Sequence, residues 1–142
     1  QRREARFGQT ISKYNIRGML KVLKQGTAVW YAPDQHFQGK NHIMVPFFGV
    51  DTPTNPATSK LAKLSNAVVI PIFCTREDTP SDAMGYTLHI MPPLQNFPSD
   101  DINDDTLRIN SIIEQQVQTK PEQYLWTHKR YKSCQLNGKS IY

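Results

Sequence analysis

Ala67-Val-Val-Ile-Pro-Ile-Phe73 is the stretch that decides the fold class. A strand with one wet face alternates apolar and polar residues. This run is apolar at both parities, which reads as a strand buried on both faces, the pattern of a central parallel strand. Upstream, Asn55-Pro56 offers an N-cap and a first-turn proline. The spacing then predicts a helix over Ala57–Ser65, with Leu61 and Leu64 on one side and Asn66 closing it. Downstream, a loop at Thr79–Ala83 leads to a second strand, Gly85-Tyr-Thr-Leu-His-Ile-Met91.

Farther out, Ile43-Met-Val-Pro-Phe-Phe-Gly-Val50 is another apolar run, after a turn at Gly39–Asn41 and before a loop over Asp51–Pro56. Ala28-Val-Trp-Tyr-Ala32 reads as a short buried strand, cut by Pro33, that delivers Asp34-Gln35-His36 at its carboxyl end. Ile16, Met19, Leu20 and Leu23 mark one face of a helix. Gly26 ends that helix, with Lys21 and Lys24 where positive charge suits the helix dipole. Ser99 or Asp100 opens a helix to about Thr119, its apolar face being Ile109, Ile112, Ile113 and Val117; Pro121 bars its continuation. Glu122–Lys132 is aromatic and basic, and Ser133–Tyr142 is expected to be poorly ordered. The order of elements predicts an α/β fold, a mixed, mainly parallel sheet flanked by helices. No repeat or domain boundary is visible.

The 142 residues suffice for one domain with its own core. No apolar run reaches the roughly 18 residues a membrane helix needs. Cys74 and Cys134 make neither a disulfide framework nor a zinc set. The net charge is +5, unevenly spread. Gln1–Lys24 carries seven bases against one acid, Arg76–Glu114 two against eight, and Gln115–Tyr142 five against one. The basic ends suit an anionic partner or, equally, a solvated surface. No nucleic-acid-binding motif accompanies them.

Three places carry possible chemistry. Asp34 stands at the carboxyl end of a predicted strand, where sites of open α/β sheets gather; the alternative is a capping aspartate. Arg2, Arg3 and Arg6 suit phosphate or carboxylate, whose oxygens a guanidinium bonds in pairs; the alternative is a solvated cluster. Trp126-Thr-His128-Lys-Arg130-Tyr-Lys132 interleaves rings and bases, as at a membrane interface or an anionic ligand; the alternative is a packed tryptophan with exposed bases.

Several of these residues also carry a resemblance. Trp30-Tyr-Ala-Pro-Asp-Gln35, Val45-Pro-Phe-Phe-Gly49, Ala57-Thr58 with Leu61-Ala62, Val69-Ile-Pro-Ile-Phe73 and Pro121-Glu-Gln-Tyr-Leu-Trp-Thr-His-Lys-Arg-Tyr-Lys132 resemble, in order, the lipid A biosynthesis acyltransferases of the lysophospholipid acyltransferase superfamily. The resemblance implies a glycerol-3-phosphate-acyltransferase-like fold. It implies transfer of a fatty acyl chain from acyl carrier protein to a hydroxyl of a lipid A precursor, at the cytoplasmic face of the bacterial inner membrane, without metal or organic cofactor. An anionic membrane surface is then a third partner. The family's catalytic pair is His-x4-Asp/Glu, the histidine acting as general base. Here the residues five positions after His36, His42, His89 and His128 are Asn41, Phe47, Leu94 and Ser133. In the family that pair, and a membrane anchor, lie before the region matched. Residues 1–132 are therefore expected to be the C-terminal part of one acyltransferase domain, inactive alone, and 133–142 a tail.

Carried over position by position, Arg3 matches a functional family arginine, with Arg2 and Arg6 as neighbours that also suit the acceptor's phosphate. Asp34 matches the aspartate of Ala-Pro-Asp, expected to orient arginine or acceptor groups. His36 stands where family members often have an acid, which favours a structural role. For Arg130 and Lys132, fixing the end of the fold and contact with a head group are both open. The other readings left are a related lysophospholipid or glycolipid acyltransferase and a non-catalytic module that binds anionic membrane.

Overall fold

The computed structural model describes residues 10–77 and 85–142. Arg2, Arg3 and Arg6, and the loop expected at Thr79–Ala83, lie outside the described residues. In chain order the elements are α1 (Ile16–Lys24), β1 (Ile43–Phe47), β2 (Val50–Thr54), α2 (Ala57–Ser65), β3 (Ile72–Glu77), β4 (Gly85–Ile90), α3 (Ile102–Thr119), β5 (Gln135–Leu136) and β6 (Lys139–Ser140). Two 3-10 turns, Pro121–Gln123 and Trp126–His128, separate α3 from β5.

The helices form where capping chemistry places them. Asn15 accepts the Gly18 N–H at 2.9 Å and starts α1. Asn55 accepts the Ala57 N–H at 3.1 Å ahead of α2, and Asn66 in the left-handed region (φ 57°) closes it. Asp101, one residue later than expected, caps α3 by accepting from Asn103 and Asp104, which pulls its carboxyl below the usual range. Ser99, one of the two expected caps, instead donates its N–H to the buried Asp105 carboxylate, which also takes the Ser59 hydroxyl of α2 at 2.5 Å. Ile109, Ile113 and Val117 of α3 are buried as their spacing requires. They pack with Phe47, Tyr131 and Cys134 into the core.

The sheet departs from expectation. The described strands form three two-stranded ladders, β1–β2, β3–β4 and β5–β6, every one antiparallel. The expected mainly parallel sheet is absent among the described residues. The cause is local for β1–β2. Phe48 (φ 48°) and Gly49 (φ 74°) form a two-residue turn with both residues left-handed, the geometry whose twist matches a hairpin. Val50–Thr54 is thus a strand, not the expected start of a loop, with Thr52, Pro53 and Thr54 buried. Its prolines are tolerated because each strand of a two-stranded ribbon is an edge.

Ala28–Ala32 makes no strand, and Trp30 is 79% exposed rather than buried. Of Ala67–Phe73 only the end, from Ile72, enters β3. Ser133–Tyr142 holds the β5–β6 hairpin around an Asn137-Gly138 turn, both residues at positive φ, and Cys134 is buried.

Candidate functional site

Arg130 is the centre of a buried hydrogen-bonded cluster. It follows Lys129, whose left-handed backbone (φ 50°) ends the Trp126–His128 turn and directs the chain inward. The Arg130 side chain is 1% exposed. Its Nη1 donates to the Pro53 carbonyl at 2.8 Å and its Nη2 to Thr54 Oγ1 at 2.6 Å. The guanidinium lies 5.3 Å from the Phe47 ring centroid. Burial works against its charge and lowers its pKa from the ordinary value. Its Nε has no hydrogen-bond partner among the described residues.

Thr54 ties this group to the scaffold. Its hydroxyl donates to the Thr52 carbonyl at 3.0 Å and accepts from Arg130. Asn110 of α3, also buried, donates to the Pro46 carbonyl at 2.8 Å. Glu114, one turn on, accepts the Phe48 N–H at 2.7 Å. The β1–β2 hairpin is therefore held both by α3 and by Arg130, whose donors meet at Thr54 Oγ1.

Asp34 and His36 reach the same cluster from the other end of the chain. His36 Nδ1 lies 3.2 Å from the Arg130 carbonyl. A carbonyl only accepts, so Nδ1 carries the hydrogen. The Tyr124 hydroxyl donates to the Asp34 carbonyl at 3.4 Å. Burial, then the charge of Asp34, push the Tyr124 phenol far above its ordinary value. Burial likewise raises Tyr131, which donates to the Phe47 carbonyl, to about 12. The half-buried Asp34 carboxylate favours the buried Arg130 charge without pairing with it.

The structure thus brings Asp34 and Arg130 together and adds His36. Lys132 is exposed, and only its backbone N–H, bonded to the Lys129 carbonyl at 2.9 Å, joins the turn. The Trp126 indole donates to the Pro121 carbonyl and its ring stands edge-on to Tyr124, 4.8 Å between centroids. Sequence reasoning missed Thr54, Asn110, Glu114 and Tyr124. Tyr124 stands inside the Pro121–Lys132 run that carries the resemblance, which was the available signal for it; for Thr54, Asn110 and Glu114 there was none.

Comparison with known proteins extends this picture over the chain. Residues 1–133 match the family model described as bacterial lipid A biosynthesis acyltransferase. The chain belongs to that family. It is 38% identical over 133 residues to a lipid A biosynthesis palmitoleoyltransferase of Escherichia coli K12, covering 93% of this chain and 42% of the relative. It is 35% identical over 124 residues to the lipid A biosynthesis lauroyltransferase of the same strain, covering 87% and 40%. It is 36% identical over 125 residues to a lipid A biosynthesis acyltransferase of Haemophilus influenzae, covering 87% and 39%. The chain spans about two fifths of the length of these lipid A acyltransferases. The Arg130 cluster lies wholly inside the matched region.

Proposed function

We propose that the protein containing these residues transfers a fatty acyl chain from acyl carrier protein to a hydroxyl of a lipid A precursor, at the cytoplasmic face of the inner membrane. The family match over residues 1–133 carries the proposal. In the step proposed, the acceptor oxygen attacks the thioester carbonyl, a C–O ester bond forms, the C–S bond breaks, and the carrier leaves as a thiol. A histidine takes the hydroxyl proton. No His-x4-Asp/Glu pair occurs within the 142 residues, so that base is assigned to polypeptide outside them and the chain is proposed to be inactive alone.

What this chain supplies is binding and positioning. Arg3, with Arg2 and Arg6 beside it, is assigned to the acceptor's phosphate or to charge at the reacting carbonyl. Asp34 is assigned to orient those groups, and its contact with Tyr124 supports a fixed position for it. Arg130 enters as a positioning residue, because its fork is spent on Pro53 and Thr54. Lys132, exposed beside it, is the one of the pair with a free side chain to offer an anionic head group.

The test is an acyl-transfer assay on the protein at the length of its relatives, in detergent micelles. Donors are acyl carrier proteins loaded with chains of several lengths, and the acceptor is a tetra-acylated, Kdo-bearing lipid A precursor. A product heavier by one acyl chain is expected. No product from any donor, with turnover on lysophospholipid or glycolipid acceptors instead, would replace the acceptor assignment.

A further inference from the structure

Residues 28–38 carry Asp34 with no regular structure around it. Among the described residues this stretch makes no backbone–backbone hydrogen bond, although Thr27 before it and Gly39 after it do. A strand inherits its place from its ladder partners. Here the place comes from three side-chain bonds instead. Asn55 Nδ2 donates to the Tyr31 hydroxyl at 3.2 Å. The Tyr124 hydroxyl donates to the Asp34 carbonyl at 3.4 Å. His36 Nδ1 donates to the Arg130 carbonyl at 3.2 Å. The first bond ties the start of the stretch to the β2–α2 junction. The other two fall on Asp34 itself and two residues beyond it, and both lead to the turns that follow α3.

Of these partners Tyr124 is the one held independently of the stretch. Its ring stands edge-on to Trp126 at 4.8 Å and tilted on Phe47 at 6.1 Å between centroids. The Trp126 indole is in turn bonded to the Pro121 carbonyl. Packing therefore sets where the hydroxyl stands before it meets Asp34. Burial, then the charge of Asp34, keep the phenol protonated and so a donor. The same hydroxyl feels the opposing charge of Arg130, which places it between the two groups. The bond engages the Asp34 main chain. The half-buried carboxylate takes no hydrogen bond from the described residues and stays available for other groups.

We propose that Tyr124 is a positioning residue for the Asp34 carboxylate, its hydroxyl fixing the Asp34 main chain with His36 as the second pin. The proposal rests on the assignment of Asp34 to the acyl-transfer site.

The experiment uses the protein at the length of its relatives in the micellar acyl-transfer assay. Tyr124→Phe keeps the ring against Phe47 and Trp126 and removes the donor alone. Asp34 is half-buried, so water can take the freed carbonyl and the urea midpoint should stay nearly unchanged. The expected kcat is roughly tenfold lower, the scale of a small misplacement. KM for donor and acceptor should hardly move, as for an interaction realised in the transition state. In an Asp34→Ala background, Tyr124→Phe should lower kcat no further, because a residue that acts through Asp34 has nothing left to position. Full kcat in Tyr124→Phe, or equal losses in the two backgrounds, would overturn the proposal and leave the assignment of Asp34 standing. A full rate in Asp34→Ala would overturn both. A second measurement needs no turnover. Chymotrypsin cuts after Trp30, Tyr31 and Phe37 report opening of this stretch, and Tyr124→Phe should speed them at least about threefold relative to cuts elsewhere. An unchanged ratio would mean that the bond does not hold the stretch, whatever reaction the protein performs.

Discussion

Arg130 shows what a buried cation does when its partners are neutral. Its fork meets one carbonyl and one hydroxyl that face no water. Removing it takes the donor from the buried Pro53 carbonyl, at about 1–3 kcal/mol for an unsatisfied buried group, while the Thr54 hydroxyl keeps its bond to Thr52. Arg130→Ala should therefore lower unfolding stability by roughly 1–3 kcal/mol, read as a lower urea midpoint at constant slope. Arg130→Lys should recover only part, because an ammonium cannot span both acceptors in one plane. A midpoint unchanged by Arg130→Ala would remove the clamp. Tyr124 and Tyr131 add a pH dependence of fixed sign. Both phenols are held above their ordinary value in the fold, Tyr131 at about 12. Their contribution is present in full below the unfolded pKa of about 10 and is lost as pH rises from there through the folded values. Alkaline titration should show part of the tyrosinate absorbance appearing only as far-UV dichroism is lost; ionisation of every tyrosine before unfolding would contradict it. Arg3 and Asp34 are the residues proposed to serve the reaction instead. In the protein at the length of its relatives, Arg3→Ala and Asp34→Ala should each cut turnover by roughly 10²-fold with little loss of expression. Near-wild-type rates in both would end that assignment.

Hairpins and helices differed in how far they could be read. α1, α2 and α3 carry periodic apolar faces and side-chain caps within a few residues of their ends, so local chemistry fixes them. The β1–β2 hairpin carries prolines in both strands and a Phe-Gly turn in place of the usual Asn-Gly, so its second strand reads as loop. The Asn137-Gly138 turn did carry the usual signal. Ala67–Phe73 shows burial on two faces, but a hydrophobic pattern does not encode the direction of the partner strand; β3 took the antiparallel neighbour closest in sequence. The candidate site was legible as residue types and not as contacts. His36 and Arg130 are 94 positions apart, and no local rule joins them. The turn makes a prediction of its own. A Cβ on Gly49 meets nothing within 4 Å, so Gly49→Ala suffers only from its φ of 74°. Left-handed backbone costs an L-residue about 1–2 kcal/mol, and the unfolding midpoint should fall by that amount. No change would mean that the turn relaxes to another type.

Over the whole molecule, charge is sorted by region more sharply than the net value conveys. From Thr10 to Pro33 the chain has Lys13, Arg17, Lys21 and Lys24 and no acid, and these bases are exposed. The acids gather ahead of and within α3, where Asp100 meets Lys63 at 3.4 Å with both side chains largely in water. Such exposed pairs contribute about 0–1 kcal/mol, so the sorting does little for the fold. A field of one sign over one surface does more for encounter with an anionic partner, raising on-rate and orienting approach. If the acyl carrier protein is the proposed donor, α1 is the described element best suited to meet it. Charge reversal at Lys21 and Lys24 should then raise the apparent KM for the donor at low ionic strength and leave the rate at saturation nearly unchanged. The screening length falls from about 30 Å at 0.01 M to about 3 Å at 1 M salt, so the two KM values should converge as salt is added. A KM that does not move at low salt would separate α1 from donor docking. A loss of saturating rate would instead place these lysines in the support of the site, through the packing of α1 on α2.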